Sequence, residues 1–256
     1  MIFGDWIDLL DVLVYLWFSH LDTTIQMQHN YYAKTQKQQQ QIQIFIGAAA
    51  FLVVLIFSLI AWATKFYLLV IVVIPIVLSI IAPFFDVPAL KKSGKLKYHS
   101  LLFISEAPRN GLLKVHGGTL LDYVFVIDGQ KNNKQRTRFI LRQYVQGLLD
   151  LIISYETNNT EPLVVRGTSY IINERTAKRI GFRKVKGDGI QRLILILNYF
   201  NVMIQYSIAK GKLSFPRLTD TNTFEATLNE LIAKKGEIER LNGMLKKSIT
   251  SEKNTI

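Results

Sequence analysis

The chain has 256 residues, no cysteine and a formal charge of +12. The lack of cysteine excludes disulfides and thiolate metal sites and fits a reducing compartment. The charge is local: residues 1–85 hold four acidic and three basic residues, 86–217 hold nine and 22, and 218–256 hold six of each.

The N-terminus lacks the basic region with which a secretory signal begins. Asp5, Asp8 and Asp11 sit among Phe3, Trp6, Ile7, Leu9, Leu10, Val12, Leu13 and Val14. Helical spacing gathers the aspartates on one arc, which predicts an amphipathic helix over Phe3 to Leu21. Its acidic face favours packing on the basic domain over anionic lipid. A polar lead-in with Gln36 and Gln38 to Gln41 completes a first segment, 1–41.

The next run, Ile42 to Phe85, holds one charge, Lys65. A hydrocarbon core about 30 Å thick needs about 20 apolar helical residues, so the run is too long for one span and suits two. The spans are 42–63 and 68–85, joined by a turn at Thr64 to Tyr67. Lys91, Lys92, Lys95 and Lys97 follow the second span closely, in the window where basic residues set orientation. They place both termini in the cytoplasm, which makes a two-span, multi-pass membrane protein. The same lysines suit anionic lipid headgroups at the membrane surface.

After Pro88 the pattern becomes that of a basic α/β domain over 90–217. Lys97 to Glu106 reads as a strand, Ala107 to Gly111 as a turn, and Leu112 to His116 as a second strand ended by Gly117-Gly118. Leu120 to Ile127 is apolar enough for a central strand. Phe139, Ile140, Tyr144, Val145, Leu148, Leu149, Ile152 and Ile153 form one stripe of a helix over Arg136 to Glu156, which Thr157 to Thr160 ends. Leu163 to Val165 is a short strand. Glu174 to Ile180 is a short helix stopped by Gly181, and Phe182 to Val185 is another strand. Ile190 to Ala209 reads as one long apolar helix. Arg192, Asn198, Asn201 and Gln205 argue against its being a third span, leaving a buried or membrane-surface helix. In 218–256, Thr219 to Asn222 offers caps for an amphipathic helix from Thr223 to about Ser248. Its stripe suits either a homo-oligomer through a short coiled coil or packing on its own domain. The class is α+β: an N-terminal transmembrane hairpin, a cytoplasmic mixed α/β domain and a C-terminal helix.

Gly167 to Lys184 (GTSYIINERTAKRIGFRK) is similar to the last helix and strand of GNAT-type acyltransferases, in which an Asn and an Ala precede a Gly-Phe pair. Here these are Asn173, Ala177, Gly181 and Phe182. The resemblance covers about residues 97–186 and draws on Leu120 to Ile127 as the upstream strand. It implies an acyl-coenzyme A site. The chain departs from the family at the pyrophosphate loop, because Gly129 to Arg138 lacks the inner glycines that let backbone N–H groups approach phosphate. No tyrosine between Glu174 and Ile180 matches the family's general acid.

His20, His29, His99 and His116 show no metal-ligand spacing, so no metal is expected, and no catalytic fingerprint is present. Two basic clusters stand out: Lys131, Lys134, Arg136, Arg138 and Arg142, and Arg175, Lys178, Arg179, Arg183, Lys184 and Lys186. Each is either a solvated face or an anion site. Arg136, Arg138 and Arg166 are the anion-site candidates. Asp122, His116 and Tyr170 are the catalytic candidates, since a buried Asp has a partner or a role. Two functions follow. One is a membrane-anchored basic module that binds anionic headgroups or an acidic protein partner. The other is a membrane-tethered transferase with an acyl-coenzyme A or nucleotide site. Nucleic acid is disfavoured, because the aromatics lie in apolar stripes apart from the basic residues.

Overall fold

The structure is a computed structural model that describes residues 29–156, 163–169, 172, 174–186, 189–217 and 221–253. The expected helix over Phe3 to Leu21, the turn at Thr157 to Thr160 and the candidate Tyr170 lie outside them.

Two long helices open the described chain, α1 (Gln36–Thr64) and α2 (Leu68–Lys92). Both are long and apolar enough to cross a membrane. Thr35 starts α1 with a capping box to Gln38, which makes the polar lead-in part of the helix. Lys65, in the left-handed region at φ 60°, ends α1. The helices pack on each other, yet most of their large side chains face outward, Phe45 at 75% exposure and Ile71 at 67%. Ser58, Thr64 and Ser79 turn their hydroxyls back onto the helix carbonyls of Val54, Ile60 and Ile76. No side-chain hydroxyl of these three is left to face lipid unbonded.

Pro75, Pro83 and Pro88 lie inside α2. Proline has no N–H, so it leaves the carbonyl four residues earlier without its helical donor. For Pro83 that carbonyl belongs to Ser79, and Asn201 Nδ2 donates to it at 3.1 Å. For Pro88 it belongs to Phe84, and Gln43 Nε2 of α1 donates to it at 2.9 Å. Two amides from elsewhere in the chain thus replace the missing backbone donors.

Among the described residues, the chain after α2 builds one six-stranded sheet. Its strands are β1 (Leu96–Ser100), β2 (Phe103–Glu106), β3 (Leu112–Gly117), β4 (Val164–Ser169), β5 (Arg183–Val185) and β6 (Asn222–Thr227), in the order β1-β2-β3-β4-β6-β5. Only β3 and β4 run parallel; every other neighbouring pair is antiparallel. Two helices, α3 (Leu120–Val126) and α4 (Asn133–Glu156), make the crossover that a parallel pair requires. Next come α5 (Glu174–Arg179), then α6 (Gly189–Leu197) and α7 (Tyr199–Lys210), and finally α8 (Leu228–Ala233) and α9 (Lys235–Lys253). The core lies between the sheet and α4, with Leu113, Val165, Ile140, Leu151 and Ile152 almost fully buried; Leu231 of α8 and Ile238 of α9 close it.

Four expectations are corrected. Lys97 to Glu106 is two strands turning at Leu101-Leu102, with a bulge between Tyr98 and Ser100. Leu120 to Ile127 is a helix, because Thr119 and Asp122 form a capping box that supplies the first turn with acceptors. Ile190 to Ala209 is two helices that break at Asn198. Thr223 begins no helix: 222–227 is β6, inserted between β4 and β5, and the next helix starts one capping box later, at Thr227 and Glu230. A piece ending at residue 217 would therefore lack an interior strand of the sheet. Gly181 ends α5 as expected, at φ 96°.

Candidate functional site

The parallel pair of strands does not stay paired. The register of β3 and β4 runs from Leu112↔Val164 to Val115↔Gly167 and stops. Beyond it, His116 and Gly117 pair outward with Ile104 and Phe103 of β2, while Thr168 and Ser169 pair outward with Thr223 and Asn222 of β6. The sheet forks at the C-terminal ends of its two parallel strands, the place where open α/β sheets bind ligands.

A cavity of about 470 Å³ fills the fork. Its walls are His116 to Thr119 and Thr168-Ser169 on the two arms, Tyr144, Val145 and Leu148 from α4, and Ala177, Ile180 and Phe182 around α5. The last wall is unusual: Pro83, Val87 and Leu90 of α2, with Asn198, Asn201, Val202 and Gln205 of α7. The second apolar helix of the hairpin is therefore part of the site. The size is that of a small-molecule pocket. The lining is chiefly apolar and includes no Lys, Arg, Asp or Glu among the described residues. Gly117 is required at the fork, because a Cβ there would fall 2.1 Å from the Tyr144 hydroxyl oxygen.

The sequence candidates divide around this cavity. His116 lies on its wall, half-exposed, and its Nε2 is 2.9 Å from Glu106 Oε1. That hydrogen bond to His116 holds the Glu106 carboxyl below its usual range. Asp122 is elsewhere. It is fully buried at the start of α3, and it accepts from Tyr98 Oη at 2.6 Å, from the Thr119 N–H at 2.6 Å and from the Thr119 hydroxyl at 2.9 Å. His29 Nε2 lies 3.0 Å from the same carboxylate. The Tyr31 N–H reaches His29 Nδ1 at 3.3 Å, which leaves Nε2 as the nitrogen that donates to Asp122. Tyr32 Oη and Tyr98 Oη are 3.4 Å apart, and the Lys91 ammonium lies over both rings, 4.2 and 5.4 Å from their centres. Burial pushes the Tyr98 hydroxyl well above its usual range, with the Asp122 charge adding to it. This cluster ties the segment before α1 to β1 and α3. It binds the foot of the hairpin to the domain.

The anion-site candidates are engaged structurally or stand off the cavity. Arg136 donates to three carbonyls, those of Lys131 at 2.8 Å, Ile208 at 2.7 Å and Gly129 at 2.5 Å, and so caps the C-terminal end of α7. Arg166 Nε donates to Glu225 at 2.9 Å across the β4–β6 rung, and Arg183 donates to the same carboxylate at 3.1 Å from β5. Arg166 above all holds the Glu225 carboxyl below its usual range. Arg138 is half-buried on α4 and is not part of the cavity wall. In the second basic cluster, Arg179 meets Glu237 at 3.2 Å and Lys184 meets Glu174 at 3.3 Å. Of the four membrane-surface lysines, Lys92, Lys95 and Lys97 are exposed, whereas Lys91 covers the two tyrosines.

Among the described residues no group of three or more His, Cys, Asp or Glu side chains could hold a metal. His99 is buried against the Ser105 hydroxyl at 2.8 Å, and burial lowers its imidazole to about 3, so it stays neutral. Sequence reasoning missed the fork and the α2 and α7 walls. The available signals were the prolines inside the second span and the amides of 198–205. No protein family, characterised protein or solved structure matches the chain.

Proposed function

We propose that this chain is a membrane-anchored module whose forked sheet binds a ligand with an acyl chain. The observation that carries the reading is the cavity wall that α2 shares with the sheet: a chiefly apolar slot with no Lys, Arg, Asp or Glu among its described lining residues, built against a helix fit to cross a membrane. Such a slot takes hydrocarbon and disfavours a charged ligand, which would be desolvated without a partner. Exposed Lys92, Lys95 and Lys97 stand just beyond α2, where they attract anionic headgroups at about 1 kcal/mol each. The basic excess of residues 86–217 favours the cytoplasmic side for the domain.

The test is to purify the full chain from membranes, extract it with organic solvent and weigh what is released. The expected result is an acyl-chain amphiphile in near-stoichiometric amount, lost in Val202→Trp, which fills the slot from its half-buried α7 wall. Equal retention by Val202→Trp, or nothing beyond bulk lipid, would sink the proposal.

A second reading is acyl transfer, in line with the GNAT-like resemblance. It is favoured by the fork, which leaves strand ends open beside the Tyr144 hydroxyl, and by the order β3, α4, β4, which takes the places the resemblance gave to 120–127 and its successors. In that transfer the acyl group passes from the thioester of added long-chain acyl-coenzyme A to an added amine or alcohol, and coenzyme A leaves as its thiol. The chain has no thiol of its own, so the released thiol is read without a protein thiol beside it. No release above buffer leaves the binding module alone.

A further inference from the structure

The segment after α5 exposes what a water-soluble surface does not. On α6, Leu193, Ile194, Ile196 and Leu197 are all more than half exposed, and Leu213 and Phe215 of the following loop are still more so. From Leu193 to Ala209 there is no Asp, Glu, Lys or Arg; Lys210, Lys212 and Arg217 come only after it. An apolar patch of this kind, rimmed by basic residues, marks a surface that another phase or molecule covers.

Its neighbour says which. Asn201, one turn into α7, donates to the Ser79 carbonyl in the apolar run of α2. Ser79 lies seven residues before Asp86, the first charge after that run, which at 1.5 Å per residue is about 10 Å below the border of the run. Leu197 lies four residues from Asn201, just across the break at Asn198. Helices that lie in a membrane interface bury their apolar face about 5–10 Å deep, with Lys and Arg on the polar side. The depth, the exposed leucines and isoleucines, and the basic rim agree.

We infer that α6 and the 211–217 loop insert into the leaflet beside the C-terminal end of α2, as a third membrane contact that enters without crossing. The occupant of the patch is lipid, because α7, on which α6 packs, rests against α2 and bonds its apolar run at Ser79. This rests on the reading of α1 and α2 as spans. It sets the α2 and α7 wall of the cavity at leaflet depth, so that an acyl chain reaches the slot sideways from the bilayer.

The lack of native cysteine gives a clean test. Leu197→Cys, Ile71→Cys and Lys134→Cys variants of the full chain carry an environment-sensitive fluorophore in vesicles of phosphatidylcholine and phosphatidylglycerol. The expected result is loss of emission to brominated acyl chains at positions 197 and 71, and to aqueous iodide at position 134. Quenching of 71 by bromine but of 197 by iodide overturns the insertion and leaves the spans standing. Shielding of 197 from both quenchers means that protein covers the patch, residues before 29 or a second copy, and also overturns it. If 71 is open to iodide as well, the membrane reading itself fails and the insertion with it.

Discussion

The α1–α2 hairpin and the α6–α7 pair are made of similar residues and are held in different ways. Both are apolar helix pairs that expose large side chains. In the hairpin the polar side chains satisfy backbone carbonyls within the pair: the three hydroxyls turn back on their own helices and Gln43 reaches Phe84. In α6–α7 the polar groups serve the pair, where Asn198 donates to Ile194 and Ser207 to Met203, and its neighbours as well. Asn201 caps a carbonyl of α2, Ser207 binds the chain at Ser214, and the last carbonyls need Arg136. The hairpin does not satisfy itself at Ser79, whose carbonyl takes its donor from Asn201 of α7. A pair whose amides serve its neighbours belongs to a junction, and here the junction is the wall of the cavity.

The hardest blow to this contrast is dealt at the foot of the hairpin. Asp122→Ala removes the acceptor shared by His29, Tyr98 and Thr119 and leaves their donors buried. Leaving a buried donor without its acceptor costs about 1–3 kcal/mol, and several donors lose theirs here. The melting midpoint of the full chain in detergent should fall accordingly, and proteolysis between residue 35 and the domain should speed up. A loss below about 1 kcal/mol would mean that the hairpin is held to the domain by apolar packing alone.

Asp150 offers a control outside both pairs. It is buried on α4 and accepts from Gln146 Nε2 at 2.9 Å, while Gln146 Oε1 accepts from Asn242 Nδ2 of α9 at 2.6 Å. Burial raises its carboxyl to about 6 against an ordinary 3.8. Between those values the folded chain keeps a proton that the unfolded chain has released. Stability from this group is therefore complete below pH 3.8 and is lost as pH rises through 6. Asp150→Asn should flatten the melting midpoint over that window and raise stability at pH 7 by about 2–3 kcal/mol at most. An unchanged pH profile would show that the carboxyl reaches water.

What the sequence made legible followed from local rules. The two apolar helices and their turn were readable because one lysine interrupts a long run free of other charge. α4 was readable from its stripe, and α5 from Gly181. Leu120 to Val126 misled, since LLDYVFV is apolar enough for either element and only the capping pair Thr119 and Asp122 decides. β6 misled for another reason: Asn-Thr-Phe-Glu-Ala-Thr becomes a strand through β4 and β5 on its two sides, and Glu225 is there for Arg166 and Arg183. The cavity was beyond local rules, because its walls come from segments as distant as Pro83 and Phe224. Asp122 was singled out as a catalytic candidate, and the partners that give it a structural role lie 24 and 93 residues away.

The finest test concerns the bond where the two pairs meet. Asn201 donates to the Ser79 carbonyl where Pro83 cannot, so that part of its worth should depend on the proline, whereas its bond from Gln205 Nε2 at 2.6 Å should not. In the native background Asn201→Leu strands that carbonyl at an apolar wall, at a cost of about 1–2 kcal/mol. In a Pro83→Ala background the alanine N–H can close the helical bond to Ser79 itself. The same Asn201→Leu change should then cost about 1 kcal/mol less, and that difference is the coupling of a double-mutant cycle. Melting midpoints of the four chains give the number. A coupling near zero would show that α7 rests on α2 by shape alone. A coupling of the expected sign would make the proline of α2 and the amide of α7 one device, which holds the cavity wall against the second apolar helix.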